Sequence, residues 1–139
     1  MVLLAIGVGV AVLAVAGDAS SSPQPALAGK LWAMSQRVAV ANGDPAAYDR
    51  WAVGPVSRAR AVRVTSGDIV EDSSPSYVIE MRGNFTCDSC SIPAGGSAPR
   101  GRVLTLVVSA SGLVGTDFGL TPGWSALSRL GTPFPLHKH

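Results

Sequence analysis

The sequence predicts a small α+β protein in which helices come first and an antiparallel sheet follows. Three observations support this class. The first half contains a stretch of helical periodicity, the second half alternates apolar and polar residues at a period of two, and glycine and proline residues separate the alternating stretches. A helix laid across an antiparallel sheet buries one face of each, so these elements are enough to form a single core.

The chain begins with an uninterrupted apolar run. The stretch VLLAIGVGVAVLAVA, Val2–Ala16, carries no charge and is shorter than the roughly 20 residues of a bilayer span. Ala14-Val15-Ala16 fits the small-residue cleavage site of a signal peptide. We therefore predict that residues 1–16 are a signal peptide or a membrane anchor and that residues 17–25 are a Ser/Pro-rich linker. The domain is then extracytoplasmic, either secreted or held at the cell membrane.

A helix is predicted over Ala26–Ala41. Leu27, Leu31, Met34 and Val38 recur at helical spacing and form one apolar face. The sequence Asn42-Gly43-Asp44-Pro45 ends this helix, because Asn and Gly favour a left-handed cap and proline cannot continue the helix.

The next two segments are less regular. Tyr48 and Trp51 suggest a short turn of helix within Ala46–Pro55. For Val56–Ser66 the sequence allows a strand or a helix. We favour a helix, which Ser57 would cap and Gly67 would terminate.

Three strands are predicted after the helices, within Ser76–Thr86, Gly101–Ala110 and Leu113–Leu120. In the first strand Gly83 marks a bulge or a close approach. The pattern makes this strand half-buried, with two opposite rows of side chains: Tyr77, Ile79, Met81 and Phe85 on one side, and Glu80, Arg82, Asn84 and Thr86 on the other. The fold is thus one or two helices packed on a three- to four-stranded antiparallel meander.

The C-terminal segment is predicted to form a short helix over Thr121–Gly131, with Thr121 as its N-cap and Pro122 at its first position. Trp124, Leu127 and Leu130 would share its apolar face. The single domain then covers residues 26–131, and residues 132–139 form a flexible tail.

Cys87 and Cys90 are the only cysteines, and they stand at C-x-x-C spacing. A redox centre would place such a pair at a helix N-terminus beside a βαβ unit, and neither pattern surrounds this pair. A zinc site needs four ligands, and the chain offers only His137 and His139 besides the cysteines. A disulfide within one loop is the favoured interpretation outside the cytoplasm, and free thiols or pairing between chains remain as alternatives.

The loop that follows the first predicted strand is long for a hairpin connection. It is the segment where we expect a partner to bind, and its candidate contact residues are Asp88, Ser89, Ile92, Pro93 and Arg100.

No catalytic constellation, cofactor motif or metal site is predicted. Both histidines lie in the last three residues, so a nucleophile would have no base within the domain. Charged residues are 14% of the chain and the formal net charge is +2, which is too small a bias to predict nucleic-acid binding. The expected partners are the membrane, through the N-terminal apolar segment, and a protein or another component of the cell envelope.

The stretch from Tyr77 to Leu120 resembles small secreted or membrane-anchored actinobacterial proteins with a PepSY-like domain. The matching positions are turn glycines and core residues: Tyr77, Gly83, Phe85, Thr86, Pro99, Gly101, Gly112 and Asp117-Phe118-Gly119-Leu120. The resemblance covers roughly residues 57–131. It implies an extracytoplasmic interaction module or a protease-inhibitory domain.

Three functions are therefore expected, in this order. The first is a non-enzymatic extracytoplasmic module, tethered or secreted, that binds a protein or an envelope component. The second is a thiol–disulfide redox protein that uses Cys87 and Cys90. The third is protease inhibition by the PepSY-like domain.

Overall fold

The computed structural model describes residues 24–123 and 127–138. The predicted signal or anchor segment, most of the predicted linker, and Trp124 lie outside these ranges. The described elements are α1 (Pro25–Ala41), β1 (Tyr48–Ser57), α2 (Arg58–Thr65), β2 (Pro75–Thr86), β3 (Arg100–Ser109), β4 (Gly115–Thr121), a 3-10 helix (Leu127–Arg129) and β5 (Phe134–Pro135). The predicted α+β class is confirmed.

All pairings in the sheet are antiparallel, and the strand order is β4-β3-β2-β1-β5. Helix α1 covers one side, which we call the first face, where Leu31 and Met34 pack on Ile79, Met81 and other apolar residues of the sheet. Helix α2 and the 3-10 helix cover the opposite side, the second face, where Ala61, Val62 and Leu127 pack on Val78 and Val107.

Both helices begin and end close to the predicted positions. Pro25 is at the start of α1, where its missing N–H costs nothing, and Gly43 takes the left-handed conformation just after the end of the helix, with φ of +82°. In α2 the Ser57 side chain accepts a hydrogen bond from the Arg60 N–H, and Gly67 stands two residues past the last helical residue, with φ of +80°.

A buried guanidinium joins α1 to β1. Arg50 donates to the Ser35 hydroxyl at 2.9 Å, to the Gln36 side chain and to the Ala47 carbonyl at 2.9 Å, and it lies 4.9 Å from the centre of the Trp32 ring. Burial lowers the pKa of Arg50, and the charge of Asp44 partly offsets this effect. The network satisfies the buried charge with hydrogen bonds and an aromatic face.

The structure corrects the prediction for Ala46–Pro55. Tyr48–Ser57 is a strand, not a turn of helix, and it pairs with both β2 and β5. Gly54 and Pro55 are poor strand formers, so the local sequence does not signal a strand. Ala52 and Val53 are both buried because each faces a different layer of the fold, and this removes the alternation by which a strand is recognised.

The end of the chain also differs from its prediction. A 3-10 helix of three residues occupies Leu127–Arg129 within the segment predicted as a longer helix, and Thr121 is the last residue of β4. Phe134 and Pro135 pair with β1, and the side chain of Leu136 is 5% exposed. The segment predicted as a flexible tail therefore supplies the fifth strand and part of the core.

The first predicted strand is buried on both sides, not on one. Gly83 does mark an irregularity, because the register with β3 shifts between Arg82 and Phe85. Glu80, however, was expected on the more exposed side and is 0% exposed. The reason is that α2 and the 3-10 helix cover the second face of the sheet.

Among the residues that the structure describes, no helix is both long enough and apolar enough to cross a bilayer.

Candidate functional site

Cys87 and Cys90 form a disulfide at the base of the loop between β2 and β3, with their Cα atoms 5.4 Å apart. The Cys87 side chain is buried and that of Cys90 is half-buried. The Cys87 N–H donates to the Pro99 carbonyl at 2.9 Å, which joins the two ends of the loop. No helix begins at the pair, so no helix N-terminus stabilises a thiolate there. This geometry is that of a clip on a loop.

The residues predicted to contact a partner are exposed, four of them in the β2–β3 loop and Arg100 at the first position of β3. Asp88, Ser89, Ile92, Pro93 and Arg100 all present accessible side chains. Ser89 lies beside the two cysteines in a shared groove, and the other four do not line that groove. The tip of the loop turns back on itself, with the Gly96 N–H donating to the Pro93 carbonyl at 2.8 Å.

The groove next to the disulfide has a volume of about 450 Å³, and we call it the α1–β4 groove. Three parts of the chain line it: the C-terminal end of α1, the disulfide loop and β4. Its lining residues include Arg37 and Val38 from α1, and Leu106 and Phe118 from the sheet. Most of this lining is apolar, and its charged residues are the exposed Arg37 and the half-buried Asp117.

Strand β4 is at the outer edge of the sheet, beside this groove. Phe118 lies on the first face and is 41% exposed, so a large part of its ring is accessible at the edge of the sheet. A second cavity of about 400 Å³, which we call the second-face cavity, lies on the other side of the same strand and includes Thr65, Ser66 and Asp68. The exposed edge of β4 therefore has a cavity on each face.

Sequence reasoning placed Phe118 on a strand face but missed its role at the edge. The alternation of Val114, Thr116, Phe118 and Leu120 signals a strand, yet alternation does not reveal whether a strand has one neighbour or two. The local sequence carries no signal that distinguishes these two cases.

An ion-pair cluster fixes β4 to α2. The Arg58 guanidinium donates to both carboxylate oxygens of Asp117, at 2.8 and 3.0 Å, and to Asp72 at 3.2 Å. Hydrogen bonding from Arg58 lowers the pKa of Asp117. Hydrogen bonds from Ser74, and to a smaller extent from Arg58, lower the pKa of Asp72. The carboxylates of Asp117 and Asp72 raise the pKa of Arg58. The bidentate geometry fixes the orientation as well as the distance of β4.

We expect the Asp117→Asn substitution to lower the free energy of unfolding at neutral pH. This loss should become smaller as the pH is lowered. The pKa of Asp117 is lower in the folded chain than in the unfolded chain, so its contribution is present above the ordinary value of 3.8 and is lost as the pH falls through the folded-state pKa. Urea unfolding of both proteins across this range measures the effect. Asp88→Asn removes the same charge from the exposed loop and serves as the control. A constant stability difference from neutral to acid pH would contradict this role.

A second polar cluster lies on the second face. Glu80 accepts a hydrogen bond from the Thr105 hydroxyl at 3.3 Å and lines a cavity of about 430 Å³ with Asp49, Trp51 and Arg82. Asp49 accepts a hydrogen bond from the Trp51 indole at 2.8 Å and forms an ion pair with Arg82 at 3.5 Å. A buried carboxylate in a cavity is a typical candidate for acid–base chemistry. The residues that line this cavity include no histidine, cysteine or lysine that would act with it.

Within residues 24–123 and 127–138 no three His, Cys, Asp or Glu side chains are grouped as metal ligands.

No protein-family model, curated protein or solved structure matches this chain. The resemblance to PepSY-like proteins therefore stays a prediction from the sequence.

Proposed function

We propose that this protein is a binding module that holds an extended segment of a partner protein in the α1–β4 groove. The observation that carries the proposal is the partly exposed Phe118 over an apolar groove of about 450 Å³ at the edge of the sheet. Aromatic side chains at the centre of a concave apolar surface are typical anchors of protein interfaces. The disulfide loop forms one wall of the same groove, which agrees with the expectation that a partner touches this loop.

A polypeptide suits the groove better than a small molecule does. The lining is mostly apolar and is spread over α1, the disulfide loop and β4, which suits contacts distributed along a polypeptide. The groove also runs beside an exposed strand edge, which offers main-chain hydrogen bonds to a polypeptide of almost any sequence.

The proposed location is outside the cytoplasm. The apolar run Val2–Ala16 supports secretion or attachment to the membrane. A disulfide in a short loop is consistent with an oxidising compartment. The domain would then present the α1–β4 groove to proteins of the cell envelope.

Selection of linear peptides from a phage-displayed library on the immobilised wild-type protein tests the proposal. We expect enriched peptides whose affinity falls by about tenfold or more, equivalent to about 1.4 kcal/mol, in the Phe118→Asp variant. Val114→Asp is the matched control, since Val114 is 59% exposed, precedes β4 directly and does not line the groove. Thermal unfolding establishes that both variants are folded. Peptides that bind the two variants equally well, or no enrichment, would overturn the proposal.

A thiol–disulfide oxidoreductase is the alternative, and the half-buried Cys90 on the wall of the groove is the observation that favours it. The missing helix at the pair weighs against it. Insulin reduction in the presence of dithiothreitol separates the two functions. Turnover by the wild-type protein that disappears in Cys90→Ser would replace the binding module by an oxidoreductase, and we expect no turnover above the reductant alone.

A further inference from the structure

Building on the proposed function, we propose that the bound segment adds to β4 as a sixth strand and that its side chains alternate between apolar and basic. The apolar side chains enter the α1–β4 groove. The basic side chains point to the second-face cavity, towards Asp68. The partner is then an extended polypeptide stretch in which apolar and basic residues alternate.

The main chain of β4 is suited to receive a further strand. Within the described part of the chain β4 pairs with β3 alone, so every second residue directs its N–H and C=O groups away from the sheet. Proteins usually block such edges with lysine, proline or an unpaired charge. Gly115–Thr121 contains neither lysine nor proline, and its one charged residue, Asp117, is held by Arg58. This edge therefore lacks three common protections, and its register with β3 is irregular at one point only, between Val107 and Val108.

The two cavities explain why the side chains of the added strand would alternate. Successive side chains of a strand point to opposite faces of its sheet. On the first face they meet Val38, Leu106 and Phe118 in the α1–β4 groove. On the second face they meet Thr65, Ser66 and Asp68 in the second-face cavity. An apolar surface on one side and a polar surface on the other select an amphipathic strand.

The charge of the second-face cavity determines which polar side chains the added strand should carry there. Asp68 is exposed, its carboxylate accepts a hydrogen bond from the Ser66 hydroxyl at 2.9 Å, and the ion pairs among the described residues do not include it. The charge of Asp117 is already balanced by Arg58. The second-face cavity is therefore left with a net negative charge that a lysine or arginine would complement. On the first face Arg37 repels basic side chains, so the two faces of the bound strand are not interchangeable.

Amide hydrogen exchange on the isotope-labelled protein, followed by NMR, tests the inference. The probe is a short peptide in which valine alternates with lysine, and the control peptide has the same composition with its lysines grouped at one end. We expect the alternating peptide to slow exchange at alternate amides of β4 by on the order of tenfold or more, and the control peptide to leave them unchanged. Asp68→Asn should weaken the alternating peptide several-fold, and Glu71→Gln, at an exposed residue that lines neither the α1–β4 groove nor the second-face cavity, should not.

The outcomes separate this inference from the proposed function. Protection of Arg37, Val38, Ser89 and Cys90, with none in β4, would overturn strand addition and leave binding at the groove intact. The same holds if selected library peptides bind the groove and the alternating peptide does not. Protection of β4 that grows with protein concentration alone, together with a dimer in analytical ultracentrifugation, would overturn the inference in favour of a second copy of this chain on the β4 edge. A failure of every peptide to bind would contradict both proposals.

Discussion

Replacing Phe85 by alanine is expected to lower the free energy of unfolding by about 4 kcal/mol. Phe85 is 1% exposed and belongs to the apolar cluster between α1 and the sheet. Truncation removes the buried ring and leaves a cavity that the rigid sheet around it does not fill. Urea unfolding followed by circular dichroism measures the loss, and the midpoint should fall while the slope of the transition stays the same.

Phe118→Ala is the matched control for this substitution. Phe118 is the same residue type in the same sheet, but it is 41% exposed, so its truncation should cost less than about 1 kcal/mol. A domain of this size has only about 5–15 kcal/mol of stability, so Phe85→Leu provides a milder variant in case the alanine variant does not fold. Similar losses for Phe85→Ala and Phe118→Ala would contradict the packing described here. A small loss for Phe118→Ala would also show that this residue is available for binding without being needed for folding.

Gly54→Ala is expected to destabilise the protein by about 3 kcal/mol, because two costs coincide at this position. The backbone of Gly54 has φ of +129°, a region that residues with a side chain rarely adopt. In addition, a Cβ atom at this position would lie 2.8 Å from the Ser76 carbonyl oxygen and 3.2 Å from the Cα of Tyr77, both in the neighbouring strand β2. The sheet cannot make room without separating two of its central strands.

Gly43→Ala separates the two costs. Gly43 also has a positive φ, of +82°, but a Cβ atom there would meet nothing within 4 Å. Its substitution should therefore cost only the backbone strain, about 1 kcal/mol. Thermal and urea unfolding of both variants provide the comparison. If Gly54→Ala were no more damaging than Gly43→Ala, then the close approach of β1 and β2 would not contribute to stability.

The elements with regular patterns could be predicted from the sequence. Helix α1 repeats its apolar residues at helical spacing, and β3 has a long apolar run between turn residues. The caps at Ser57 and Gly67 were recognisable because a helix end has unsatisfied backbone groups that a few residue types satisfy well. In each case the structure is decided by neighbours along the chain.

Strands β1 and β5 could not be predicted in this way. Trp51 and Ala52 of β1 pair with Pro135 and Phe134 of β5, which are distant in the sequence. Two strand-paired residues are too few to produce a pattern, and Gly54 and Pro55 disrupt the pattern of β1. These strands exist because hydrogen bonds to other strands and burial between two layers outweigh weak local preferences.

The candidate site also combines features that the local sequence predicts with features that depend on tertiary contacts. A disulfide between Cys87 and Cys90 is the interpretation that their spacing and the predicted compartment favour, and the length of the loop after them can be read from the sequence. That Phe118 and Arg37 lie at one groove, and that Asp68 lies on the opposite side of the same strand edge, depends on contacts between elements that are far apart in the sequence.

The sequence by itself therefore determined the class of the fold, most helix ends, three strands and the clip at the loop. These features depend on residues that lie close together along the chain. Only the tertiary structure decided that both faces of the sheet are covered, that Glu80 is buried and that β4 is left at the edge. The physical reason is that burial and strand order arise from the packing of whole elements. A strand has the same alternation whether its edge is paired or open, so the edge that we propose as the binding surface has no signature in the local sequence.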